Sequence, residues 1–116
     1  MTEPSEPTAA ITLNVAPAFA ERIVDWLLGR DGTPGFTSYA AHGHGARHDE
    51  LSIAEQVSGR QRRVEFRIEL PRRELDACIA ALIADFIGTD LYYFVSPVER
   101  SGHLRDLPAR RPSAEI

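Results

Sequence analysis

The segment "RVEFRIEL" alternates without a break: Val64, Phe66, Ile68 and Leu70 point one way, and Arg63, Glu65, Arg67 and Glu69 point the other. A period of two predicts a strand with one covered face and one polar face. "ITLNV" repeats the pattern in short form, with Ile11, Leu13 and Val15 alternating with Thr12 and Asn14. Between them the period changes. Phe19, Ile23, Trp26 and Leu27 recur at helical spacing while Glu21, Arg22 and Asp25 occupy the other face. Pro17 suits the first turn of that helix, and Gly29 followed by "RDGTPG" ends it. A second helix opens after Pro71, with Leu75, Ile79, Leu82, Ile83 and Phe86 as its apolar stripe, Cys78 beside them and Gly88 as its stop. "FTSYAAH" and "DLYYFVSPV" are rich in aromatic and β-branched residues and read as the remaining strands, with Pro97 marking an end or an edge position.

The order is strand, helix, strand, strand, helix, strand. Two helices must then cover one face of a four-stranded sheet, and right-handed crossovers leave few arrangements. The expected fold is α+β, a ferredoxin-like βαββαβ unit with an antiparallel sheet. The expected domain spans residues 10–104, with tails at 1–9 and 105–116 that carry proline and no apolar period.

One segment does not fit a compact hairpin. Residues 42–63, "HGHGARHDELSIAEQVSGRQRR", separate the second and third strands and hold three of the four histidines. Loops of this length inside a small domain are usually functional or disordered. Within it Leu51, Ala54 and Val57 repeat at helical spacing, and Ser52 with Glu55 matches a helix capping box.

Composition narrows the function. The net charge of −4 argues against a chain built to grip nucleic-acid phosphates. No stretch reaches the roughly 20 apolar residues of a membrane span, and "MTEPSEPTAA" lacks the basic start and apolar core of a signal peptide. A single cysteine, Cys78, rules out an internal disulfide, so a cytoplasmic protein is expected. Every basic side chain is arginine, so any anion site must use arginine forks, histidine or backbone N–H groups. No nucleophile–base pair or pair of carboxylates stands out, and the expectation is a protein that is not an enzyme.

The wording of several segments resembles an uncharacterised PII-like bacterial family within the PII superfamily of signalling proteins. The residues concerned are "VDWLL" (24–28), "GFTSY" (35–39), "GHGARH" (43–48), "LSIAEQVSGRQRRV" (51–64) and "PVERSG" (97–102). The resemblance covers roughly residues 10–104. It implies a homotrimer with ligand clefts between subunits, a loop that changes shape, and a link to heavy-metal efflux that makes a membrane transporter a candidate partner. It departs from ATP-sensing PII proteins at "FIGTDLYYF", which lacks their glycine-rich, lysine-containing turn. Tyr39 lies back in the second strand, so the modifiable loop tyrosine has no equivalent.

Three readings of the loop stay open. His42 and His44, with one glycine between them, would project about 7 Å apart from one face of an extended chain. His48 lies four residues beyond His44, and this set suits zinc, copper or nickel, though without the discriminating spacing of a zinc finger. Arg47, Arg60 and Arg62 would instead serve a small anion (carboxylate, phosphate or bicarbonate) or a nucleotide at a subunit cleft. Leu51, Glu55 and Gln56 on the helical turn would face a partner protein. Solvated histidines and strand-edge charge are the plain structural alternatives. The expected function is a PII-like regulator that binds a small effector through this loop, a metal ion being favoured, and acts on a partner without inserting into a membrane or binding nucleic acid.

Overall fold

The computed structural model describes residues 6–30, 35–45 and 51–107. Four strands form one antiparallel sheet in the order β2-β3-β1-β4: β1 (Thr8–Val15), β2 (Phe36–Gly43), β3 (Gln61–Pro71) and β4 (Tyr92–Val98). The helices α1 (Ala20–Leu28) and α3 (Leu75–Phe86) cover one face, and a short helix α2 (Ile53–Ser58) lies in the connection from β2 to β3. This is the ferredoxin-like α+β arrangement that the alternation of elements predicts.

Register decides which side chains meet. Ile11 pairs with Ile68 of β3 and Val95 of β4, and Ile68 pairs in turn with Phe36 of β2. Since side chains alternate, Ala9, Ile11, Leu13 and Val15 face the helices with Phe66, Ile68 and Leu70. Ile23 and Leu27 of α1 and Cys78, Leu82 and Phe86 of α3 close the core over them. Trp26 links the helices. Its indole N–H donates to Asp85 Oδ2 at 2.6 Å, and its ring meets Phe86 edge-on at 5.6 Å. Burial pushes the Cys78 thiol above its ordinary value, which suits a small core residue and not a reactive one.

One boundary and one helix face differ from the sequence expectation. The first strand begins at Thr8, so residues 8 and 9 belong to the sheet and not to a tail. Thr8 pairs with Pro71 on one side and Val98 on the other, and Ala9 is fully buried. A central strand must match two long neighbours, and alanine hides that role because it adds little to an apolar period. On α3 the buried line is Cys78, Leu82 and Phe86, spaced by four, and Ile83 turns half outward beside the groove next to β4.

Phe66 is fully enclosed and touches the cluster from both helices. Phe66→Ala is expected to cost about 3–5 kcal/mol, read as a lower urea midpoint with an unchanged m-value. Tyr92→Ser, at an exposed position of the edge strand β4, should move the midpoint far less.

Candidate functional site

The connection from β2 to β3 is held from within by one carboxylate. Ser52 caps α2: its Oγ accepts the Glu55 N–H at 3.2 Å, and Glu55 Oε1 accepts the Ser52 N–H at 2.9 Å. That is the reciprocal capping box written in the sequence. Glu55 Oε2 accepts the Arg62 N–H at 2.9 Å, which ties the helix to the first residues of β3. Gln56 donates from Nε2 to the Leu51 carbonyl at 3.1 Å. Gly59 ends α2 with φ +74°, a left-handed conformation that favours glycine. The backbone N–H of Ser52, then that of Arg62, hold the Glu55 carboxyl below its ordinary value.

Pairing across β2 and β3 sets His42 opposite Arg62. Both lie on the helix-covered side, beyond the last core residues. With Ala54, Glu55 and Arg60 they line a cavity of about 200 Å³. The structure thus brings together residues from three separate expectations: His42 from the metal set, Arg60 and Arg62 from the anion set, and Glu55 from the partner-facing set. Among the described residues no hydrogen bond or ion pair reaches the Arg62 guanidinium.

The other expected residues fall elsewhere. His44 lies just past β2 and is exposed. Arg47 and His48 lie outside the described residues. Among the described residues no three His, Cys, Asp or Glu side chains are grouped to hold a metal ion. Leu51 is half-buried, and Glu55 and Gln56 hydrogen-bond to the loop's own backbone. The outward side chains of α2 are Ile53 and Val57, 82% and 86% exposed and one helical turn apart.

Sequence reasoning missed the opposite face. Arg63 follows Arg62 in β3 and points to the side away from the helices, where it is only 7% exposed. It donates from Nε to Asn14 Oδ1 at 2.5 Å, from Nη2 to the Asn14 carbonyl at 3.1 Å, and from Nη1 to Asp90 at 2.8 Å. Asn14 donates in turn to Glu65 Oε2 at 2.8 Å, and Tyr39 donates its hydroxyl to Glu65 Oε1 at 2.8 Å. That last bond raises the Tyr39 pKa. The available signal was Asn14 itself, an amide in a central strand that must find partners.

The sheet order, the helices on one face and the long β2–β3 connection define a PII-like ferredoxin fold. The chain belongs to the DUF3240 family, proteins of unknown function, which its residues 5–105 match. Among solved structures it is similar to a DUF3240 family protein from Shewanella baltica OS155, with a TM-score of 0.67 and 20% identity over 84% of this chain and 96% of that one. It is also similar to the GlnK–ATP complex of B. subtilis, with a TM-score of 0.65 and 17% identity over 90% and 93% of the two chains. A Bacillus cereus protein related to NIF3 shares the fold over 28% of its own length, with a TM-score of 0.59 and 17% identity. No curated protein matches the chain.

A depressed carboxyl pKa contributes stability above the ordinary value of 4.5 and loses it as pH falls through the lower folded value. The amide resonances of Ser52 and Arg62 are therefore expected to titrate together in NMR spectra, with a midpoint below 4.5. Glu55→Gln should abolish that shared titration. Ser52→Ala is expected to loosen α2 by about 0.5–2 kcal/mol, read as faster amide exchange in α2 with little change in the core.

Proposed function

We propose that this protein is a PII-like regulator, not an enzyme, whose β2–β3 connection binds a small anion and reports it to a partner protein. The observation that carries the reading is the convergence of His42, Arg60 and Arg62 on one cavity. Arginine forks and an imidazole offer N–H donors to phosphate, carboxylate or bicarbonate. Glu55 lines the same cavity and holds the backbone of Arg62, so an anion drawn to the arginines acts directly on the contact that fixes α2. A ligand can shift the loop only by favouring one of its states, and this contact supplies the difference.

GlnK, a PII protein of similar fold, was solved with ATP, which supports a phosphate-bearing class of effector. The junction "FIGTDLYYF" lacks lysine, and a cavity of about 200 Å³ favours a smaller anion than a nucleotide. A homotrimer is the assembly the family resemblance suggests, and self-association is supported by the exposed rings of Tyr92 and Phe94 on the open sheet face, 6.3 Å apart. Ile53 and Val57 are the apolar side chains that a partner, a membrane transporter by that resemblance, would cover. A cytoplasmic location belongs to the same reading. Among the described residues no helix is long and apolar enough to cross a membrane. The transition-metal alternative keeps His42 at this cavity with His44 beyond it, but among the described residues the one carboxylate that lines it, Glu55, already accepts two N–H groups.

Calorimetric titration with phosphate, bicarbonate and ATP, beside zinc, copper and nickel, tests the proposal. Anion binding should weaken at least about tenfold in Arg62→Ala and again in Arg60→Ala, and should fall with salt. No anion binding, together with metal binding lost in His42→Ala/His44→Ala, would replace this reading with a metal sensor.

A further inference from the structure

The two faces of the β2–β3 end carry different chemistry. On the open face, away from His42 and Arg62, a cavity of about 440 Å³ is lined by Asn14, Gly43, Gln61, Arg63 and Asp90. Arg63 lies against it with its guanidinium fixed by three hydrogen bonds to Asn14 and Asp90. A guanidinium has five N–H groups, so two remain for a ligand. Asp90 is half exposed and uses Oδ2 for Arg63; among the described residues its Oδ1 has no hydrogen-bond partner. The Gln61 carboxamide, half-buried, has none either and offers both a donor and an acceptor. Gly43 borders the space: a Cβ there would make ordinary contact with Arg63 Cγ at 3.4 Å, and a longer side chain would enter the cavity.

We propose that this cavity is a second binding site, one for a small zwitterion of the α-amino-acid class. The ligand carboxylate accepts from the two remaining Arg63 N–H groups, and its ammonium donates to Asp90. Among the described residues the lining carries one positive and one negative side chain, so a simple anion gains from Arg63 only what it loses to Asp90. A molecule with both charges meets both partners, and electrostatic complementarity of this kind selects for class. The donor group is also preorganised, since Arg63 is locked before any ligand arrives and little side-chain entropy is lost on binding. This site is distinct from the anion cavity, because the described residues that line the two are different.

The test is a thermal-shift screen of the full chain with the common L-amino acids, followed by calorimetry on any that stabilise it. Acetate and ethylamine serve as the single-charge controls. At least one amino acid is expected to raise Tm in a dose-dependent way, with neither control doing so at equal concentration. Asp90→Asn should weaken binding at least about tenfold, and Gly43→Val, which fills the space while leaving every polar group, should abolish it. His42→Ala/Arg62→Ala should leave it unchanged while removing anion binding. Failure of every amino acid to stabilise the protein overturns the proposal. So does acetate binding as tightly as the amino acid, or Gly43→Val binding as wild type does.

Discussion

Arg63 is the one charged residue buried among the described residues, and the end of the sheet where the loop begins is organised around its needs. A guanidinium removed from water is stable only when its N–H groups are met and its charge is opposed. Asn14 meets two of them from the neighbouring strand, and Asp90 supplies the charge from the turn before β4. The arrangement also guards register. A slip of β3 by one residue would carry Arg63 under the helices and Val64 onto the open face, where nothing would compensate either. The pairing of His42 with Arg62 follows from the same register. The site on one face is therefore positioned by a charge held on the other.

Glu55 plays the complementary part in the loop. Six residues of helix are too few to stand alone in water. α2 persists because one carboxylate caps its first turn and holds the Arg62 N–H as well. These bonds are exposed and so individually weak. The tightly bound Arg63 network and the loosely held α2 meet at consecutive residues, Arg63 and Arg62. A fixed root and a weakly held turn joined by one peptide unit would let the loop change shape, as the proposed function requires, without disturbing the sheet.

Much of this fold was legible because β3 and the two long helices show their periods cleanly, and the capping box of α2 was readable letter by letter. The start of β1 was not, since Thr8, Ala9 and Ala10 carry no apolar pattern and owe their place to the lengths of β3 and β4. Ile83 was assigned to the core because a stripe of five residues is wider than the line that α3 buries. The candidate site was only partly legible. Histidine and arginine could be nominated by chemistry, but their meeting depends on a cross-strand register that no local pattern encodes. Glu55 and Gln56 read either as a docked structural turn or as partner-facing, and both make bonds within the loop. The alternation sets Arg63 on the polar side, but nothing local in the sequence shows that this side buries it. A polar face between two flanking strands can bury a side chain as well as an apolar one, provided that its neighbours supply the hydrogen bonds.

The two cavities at this end of the sheet lie back to back across the last pairs of β2 and β3. His42 and Arg62 form one pair and Gly43 and Gln61 the next, and alternate side chains project to opposite faces. A ligand on either face thus bears on the same short piece of ladder. An anion that draws Arg62 acts through the backbone N–H held by Glu55, and the adjoining residue is locked to Asn14 and Asp90. Any coupling between the faces would run along the strand itself and needs no path through the core. Its sign depends on whether each ligand favours the paired or the frayed end of β2 and β3. The Arg63 network exists only in the paired form, so a ligand held by Arg63 must favour pairing. An anion held through Arg60 and Arg62 favours it only if it leaves the bond from Arg62 to Glu55 intact. The two ligands would then reinforce each other in that case and oppose each other in the alternative.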